Sequence, residues 1–365
     1  MGQRELDPRL KALFDAKKKV YSISKLNTID QCEYQAYLSY VKHAKQSSSC
    51  YSILGTRIHD CLEAIMNGES TEAALLPALN KELEDMDMLG IDFPNDRNGG
   101  TSIRDNWIAD MKDFCTGFVK PKGKFETEQL FIYDCGDQTH YLQGYIDLIR
   151  YNNDGTLSIF DWKTSSQFTA KDLIHHGRQL VLYAMGKEQE GYTVKNVAWI
   201  MLKYAEVSWN GKARKNAKTE TRIKKIFNRS KILKELKPYL ESDLENLGFT
   251  EIDIEMILDD AVKRNSWDKL PEEVRKKYTI KPYVRWYEIT DELKQETLDY
   301  IKNRIEQFES KSDNEVDWEP VEIDKSSEFF CSVLCGYKHI CKYIADYKCI
   351  KEELKQLSLI HISEP

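Results

Sequence analysis

The sequence predicts an α/β fold. Three changes of hydrophobic period carry that reading, and the apolar content permits it. Up to about residue 119 the apolar residues recur at helical spacing; from Glu126 they alternate. Helical spacing returns over residues 170–188, before another alternating run. Apolar residues make up 41% of the 365, enough for a sizeable core and too many for a disordered chain. At roughly 150 residues per domain, the length gives a soft expectation of two domains.

Residues 1–20 are polar and read as helical. Residues 24–45 read as one helix, with Ser24 or Asn27 as N-cap and Tyr34, Tyr37, Leu38 and Val41 on one face. Residues 53–67 form a second amphipathic helix that Gly68 stops. DFPNDRNGGT (92–101) is a loop, and 104–119 are helical again. FETEQLFIYD, HYLQGYIDLIRY and TLSIFDWKTS are strands separated by Asp/Asn/Gly turns. The helix 170–188 and the strand 195–204 follow. Residues 205–280 break the pattern. Segment 211–237 carries eleven Lys and Arg against two Glu, and 239–260 has eight carboxylates and no Lys or Arg. Residues 281–290 are strand, 291–309 helix and 311–328 an acidic loop. The chain thus divides into a helical region (1–50), a core (51–204), a charged, mostly helical insertion (205–280) and a return to the core with a Cys-rich helical end (281–356).

No run approaches 18 apolar residues, so no transmembrane helix is expected, and the charged start has no apolar signal-peptide segment. The expectation is a cytoplasmic protein, of a bacterium or of a phage-infected host. The last residues, Leu357 to Pro365, read as a translated sequencing adapter, which places the end of the natural sequence near residue 356.

The most informative stretch is GYIDLIRYNNDGTLSIFDWK (144–163). Gly155 suits the left-handed position of a three-residue hairpin loop. Centring the turn on Asp154 sets Asp147 opposite Asp161, with Cβ atoms about 4.5–5.5 Å apart. Lys163 shares that face, while Phe160 and Trp162 point to a core. Two carboxylates and a lysine at one spot can hold Mg²⁺ or Mn²⁺ through hard oxygen ligands and stabilise charge on a phosphate. The same spacing also describes a solvated Asp–Lys pair, and a two-residue loop would shift the register and part the two Asp.

These residues resemble the RecB-like branch of the PD-(D/E)XK nuclease superfamily. That branch has a G-x-x-x-H-x-x-L-E helix, here Gly55, His59, Leu62 and Glu63. It has G-x-[IV]-D, here Gly144 to Asp147; D-x-K-T, here Asp161 to Thr164; and Q-x-x-x-Y, here Gln179 and Tyr183. The resemblance implies a restriction-endonuclease-like core, a mixed central sheet flanked by helices, with helical N- and C-terminal collars. It implies that His59, Asp147 and Asp161 hold the metal, that Lys163 is the catalytic lysine, and that Gln179 and Tyr183 line the site. Glu128 matches a further acid on the preceding strand, although Glu126 shares its face. Taken alone, a helical His such as His59 is more often a packing residue. Trp162 stands where Tyr is common, and Ser165 where Gly is common.

Nine cysteines in a chain without signs of export suggest metal ligands rather than disulfides. Iron–sulfur members of the RecB-like branch place one Cys before the core and three after it. Cys32, Cys331, Cys335 and Cys341 are similar in layout, which implies a [4Fe–4S] cluster; four thiolates suit Zn²⁺ as well. Cys331 lies one residue further from Cys335 than is usual, and Cys349 is a possible substitute. Cys50, Cys61, Cys115 and Cys135 read as small apolar residues.

The function expected is a metal-dependent deoxyribonuclease, probing DNA ends or single strands as an exonuclease, in recombination, repair, phage DNA processing or CRISPR adaptation. A catalytically silent DNA-binding scaffold with a Cys₄ site is the alternative. The basic run fits phosphate tracking, or a solvated helix facing its own acidic follower. No P-loop occurs, so processive resection needs a separate helicase partner.

Overall fold

The computed structural model describes residues 6–96, 99–170, 172–211 and 221–362, with side chains up to residue 353. Lys212, Arg214, Lys215 and Lys218 of the basic run lie outside the described residues, as do the side chains of the adapter-like tail.

The chain begins with α1 (Pro8–Asp15), β1 (Lys19–Tyr21), α2 (Ile23–Gln31) and α3 (Glu33–Tyr40). Three helices follow: α4 (Cys50–Met66), α5 (Leu75–Leu89) and α6 (Ser102–Gly117). Then come β2 (Lys124–Asp134), β3 (His140–Tyr151), β4 (Leu157–Lys163), α7 (Asp172–Gln189) and β5 (Val194–Gly211). The insertion holds β6 (Thr221–Asn228), α8 (Ile232–Asn246), α9 (Glu251–Arg264) and α10 (Glu272–Lys277). The chain returns through β7 (Thr279–Tyr287) and α11 (Asp291–Glu309), makes a π-helical turn at Phe330–Leu334, and continues into α12 (Lys342–Ile362).

The sheet is mixed. β4 runs antiparallel to β3 and parallel to β5, and all but the last residue of β4 is buried. One face carries a core shared with α2, α7 and α11, including Ile159, Leu180 and Ile301. The other carries Phe160 and Trp162 against Leu54, Ile58 and Met111 of α4 and α6. A third core belongs to the insertion, where Val207 and Trp209 meet Leu236, Leu240 and Leu258. Burial on both faces explains why β4 reads as a nearly continuous apolar run. No helix among the described residues is long and apolar enough to cross a membrane.

Three expectations need correction. The helix read over 24–45 is two helices, capped by Ser22 rather than Ser24 or Asn27, and broken at Cys32 in extended conformation (φ −166°, ψ 112°). The tyrosine after it sends its amide to a distant acceptor, Glu319 O at 3.1 Å. The segment over 1–20 is a short helix followed by the strand β1. The described part of the basic run does not begin as a helix. β5 extends to Gly211 and β6 pairs with it antiparallel, so Arg222, Lys224 and Lys225 lie on a hairpin strand, and helix begins only at Ile232.

Candidate active site

The β3–β4 hairpin turns through Asn153-Asp154-Gly155. Asn152 and Thr156 close it, with a 2.9 Å bond from Asn152 N, and Gly155 adopts φ 81°, which an L side chain resists. The ladder runs from Tyr151↔Leu157 to Leu148↔Phe160 and stops there. Asp147 and Asp161 are therefore the first residues past the last pair. They are opposed as the turn implies, on strands that have begun to part.

The parting has a use. β2 covers one edge of β3 over nearly its whole length. The other edge is shared, with β1 pairing to His140–Leu142 and β4 to Leu148–Tyr151. Residues 143–147 have no strand on that edge. Asp147 fills the opening, its Oδ2 accepting the Trp162 N–H at 2.9 Å. A side-chain carboxylate thus replaces the backbone carbonyl that a continued ladder would supply.

The remaining groups gather around this point. Asp161 is 1% exposed and Asp147 9%. Lys163 Nζ lies 2.6 Å from Asp161 Oδ2, an oblique ion pair, and donates to Gln179 Oε1 at 3.4 Å. Gln179 Nε2 donates in turn to the Tyr183 hydroxyl at 2.7 Å, as the i, i+4 spacing on α7 allows. From α4, His59 Nδ1 comes to 3.5 Å from Asp147 Oδ2, and its ring meets Trp162 edge-on at 5.8 Å. Gly144 makes room for this packing: a Cβ there would stand 2.9 Å from Phe131, which itself packs on Tyr183. Glu126 is engaged elsewhere, accepting from the Tyr151 hydroxyl at 2.8 Å. Glu128 has a left-handed backbone (φ 49°), and its charge acts on Asp147 and Tyr183. A non-glycine residue there carries strain of about 1–2 kcal/mol, which separates it from Glu126.

The electrostatics follow from burial. Desolvation, then the charge of Asp161, pushes the Asp147 carboxyl well above its ordinary range. Burial pulls the Lys163 ammonium down, but Asp161 and Asp147 outweigh it, so it stays charged. Burial keeps His59 below its ordinary value and so neutral near pH 7, the form that ligates metals. With Asp147 ionised, two buried carboxylates would face one ammonium and leave negative charge for a cation to compensate, and Asp161 Oδ2 receives no directed hydrogen bond. This donor set fits a hard divalent cation, although no three His, Cys, Asp or Glu among the described residues form a finished metal site.

Two contributors escaped the sequence. The Trp162 amide has no sequence signal, since every non-proline residue has one. His176 stacks on Phe168 at 4.0 Å, and the charges of Lys163 and Asp161 reach it. Its place one turn before Gln179 was the available signal.

The four singled-out cysteines also converge. Cys32, Cys331, Cys335 and Cys341 line one cavity of about 30 Å³ with Tyr34 and Leu38. Burial, then the other three sulfurs, pushes the Cys331 thiol up to about 11. Cys32 sits at the break between α2 and α3, and Cys331 in the π-helical turn. Cys349 is exposed, with its thiol on Glu353 at 3.7 Å, and is no substitute. Cys50 and Cys115 are buried in the second core, Cys61 packs against it, and Cys135 packs against the first.

No curated protein matches this chain. Among solved structures, a candidate exonuclease from Eubacterium rectale is similar over 78% of this chain and 96% of its own, at 12% identity and a TM-score of 0.32. The structure of SSO0001 is similar over 65% and 85%, at 14% identity and a TM-score of 0.18. Likenesses this loose carry no functional argument. The family match is of another kind. It spans residues 20–342, from the strand before Cys32 to the residue after Cys341, and so takes in both clusters described above: the chain belongs to the PD-(D/E)XK nuclease superfamily.

Proposed function

We propose that the chain is a RecB-like, metal-dependent deoxyribonuclease that hydrolyses phosphodiester bonds from DNA ends. The observation that supports this is the meeting of Asp147, Asp161 and Lys163 at the opening between β3 and β4, with His59, Gln179 and Tyr183 around it. Enzymes of this superfamily typically use Mg²⁺ or Mn²⁺. His59, Asp147 and Asp161 would hold the ion, with Glu128 as a further acid. Bound there, it would activate a water and polarise the phosphate. Lys163, protonated and fixed by Asp161 and Gln179, offsets charge that builds on the phosphate oxygens. Gln179 keeps the ammonium from swinging away, and Tyr183 anchors Gln179. Trp162 holds Asp147 through its backbone and His59 through its ring.

The test is Mn²⁺-dependent degradation of end-labelled DNA. We expect release of short products by the wild type and a loss of about 10²-fold or more in a Lys163→Ala/Asp161→Ala double variant, as when electrostatic stabilisation is removed. Full activity in that variant would overturn the reading, and DNA binding without cleavage under any divalent metal would favour a silent scaffold instead.

We propose further that Cys32, Cys331, Cys335 and Cys341 bind a [4Fe–4S] cluster. It would be structural, tying α3 to the start of α12. Supporting this, four thiols crowd one small cavity where burial, then the other three sulfurs, disfavours ionisation of Cys331, a cost that a bound cation removes. Anaerobically purified protein should absorb near 400 nm; a colourless sample containing zinc would replace the cluster with Zn²⁺. Recombination, repair, phage DNA processing and CRISPR adaptation all suit such an enzyme, and a separate helicase would supply strand separation.

A further inference from the structure

On the side of β4 away from the carboxylates, the sheet is incompletely covered. Between the end of α6, the start of β2 and β7 lies a cavity of about 430 Å³. That is within the range of pockets that take a ligand or the anchor residues of a peptide. Phe114, Phe118, Phe125, Phe160 and Trp162 line it. The surroundings are apolar at the surface too: Val119 is 77% exposed, Trp286 58% and Ile280 40%, and Trp286 packs edge-on against Phe160 at 5.8 Å. Large apolar side chains left in water around a concave apolar site mark an interaction surface.

The charge around it is one-sided. Among the described residues no carboxylate lines the cavity, in a chain whose net charge is −7. Its two charged residues are arginines. Arg229 is committed to the fold, donating to Leu202 O at 2.8 Å and lying 3.5 Å from Asp113. Arg150 is exposed on β3, and no carboxylate pairs with it among the described residues. A buried apolar slot with one uncommitted guanidinium at its mouth is complementary to an acidic segment bearing bulky apolar anchors.

We propose that this cavity is a docking site for an acidic peptide segment of a partner protein, whose aromatic or branched side chains enter between Phe118 and Trp162 while its carboxylates meet Arg150. A nucleic-acid strand suits it less, because the walls offer bases few polar partners. Trp162 lines this cavity and also packs on His59, so the occupant would touch the residue that steadies the catalytic face.

The experiment uses the full chain and a fluorescein-labelled octapeptide, Glu-Asp-Glu-Phe-Asp-Leu-Phe-Glu, followed by fluorescence anisotropy without divalent metal. Binding is expected in the micromolar range and should weaken as salt rises. Arg150→Glu and Ile280→Glu, both at exposed positions, should each weaken it about tenfold or more while leaving the circular dichroism spectrum unchanged. A peptide with Phe and Leu replaced by Ala should bind at least tenfold less well. No binding, equal binding of the alanine peptide, or binding unaffected by Arg150→Glu would each overturn the proposal. So would an oligothymidylate that competes for the site with the same dependence on Arg150.

Discussion

Asp147 does two jobs with one carboxylate. It stands in for a missing backbone acceptor at Trp162 and belongs to the pair of acids on which the proposed chemistry rests. That pair was legible because a turn residue, Gly155, fixes the register, and register decides which side chains face each other. What could not be read was that the ladder ends one residue earlier, since strand divergence depends on β1 taking the other half of the same edge. Glu128 and Glu126 were equivalent by alternation. A left-handed backbone at one of them distinguishes the two, and no local residue preference announces it. Gly144 belongs to this scale as well. Its place in the G-x-I-D run answers to Phe131, whose ring leaves no room for a methyl. Gly144→Ala should destabilise the fold by about 1–3 kcal/mol through overpacking, read from the urea midpoint, with cleavage lost in proportion to unfolding at moderate denaturant.

Among the elements, the strand and helix spans of the core followed from period alone. The exceptions share a cause. The break between α2 and α3 has no glycine or proline to signal it; it depends on an acceptor at Glu319, far along the chain. β6 lies exposed on one partner strand, so its basic sequence has no burial pattern to alternate. How the insertion is fastened to the core was equally invisible. Asp110 of α6 is 1% exposed and accepts from Asn228 Nδ2 at 2.7 Å, Ser230 N at 2.9 Å and Ser230 Oγ at 2.6 Å. Asp110→Ala would strand these donors. We expect a cost of roughly 2–4 kcal/mol, the scale of breaking a buried charged hydrogen-bond network. Trypsin should then cut first near the β6–α8 junction, and a cleavage pattern identical to wild type would refute the anchoring role.

At the scale of the whole molecule, a charged cluster ties the late helix α11 back to the central sheet. His140, at the start of β3, joins Asp137 Oδ2 at 2.5 Å and Glu309 Oε1 at 3.0 Å, linking the sheet to the end of α11. Burial alone would lower its pKa, but the two carboxylates raise it above the ordinary 6.5. The stability this contact gives is therefore complete below about pH 6.5 and is lost as pH rises through the folded value. The wild-type urea midpoint should fall more between pH 6 and pH 8 than that of His140→Gln; parallel curves would show that the cluster contributes nothing. The two-domain expectation from length gives way to one mixed sheet, with a helical-and-hairpin insertion that has its own small core.

The four-cysteine cavity has a further consequence, for the order in which the protein is made. Cys32 leaves the ribosome about 300 residues before Cys331. At synthesis rates of about 5–20 residues per second, that interval is roughly 15–60 s. Through it the first thiol has no cavity to enter, and β1 must likewise wait for β3. The N-terminal helices are thus a provisional structure during synthesis, open to oxidation or to a stray metal, and they become part of the enzyme only when the last cysteines arrive.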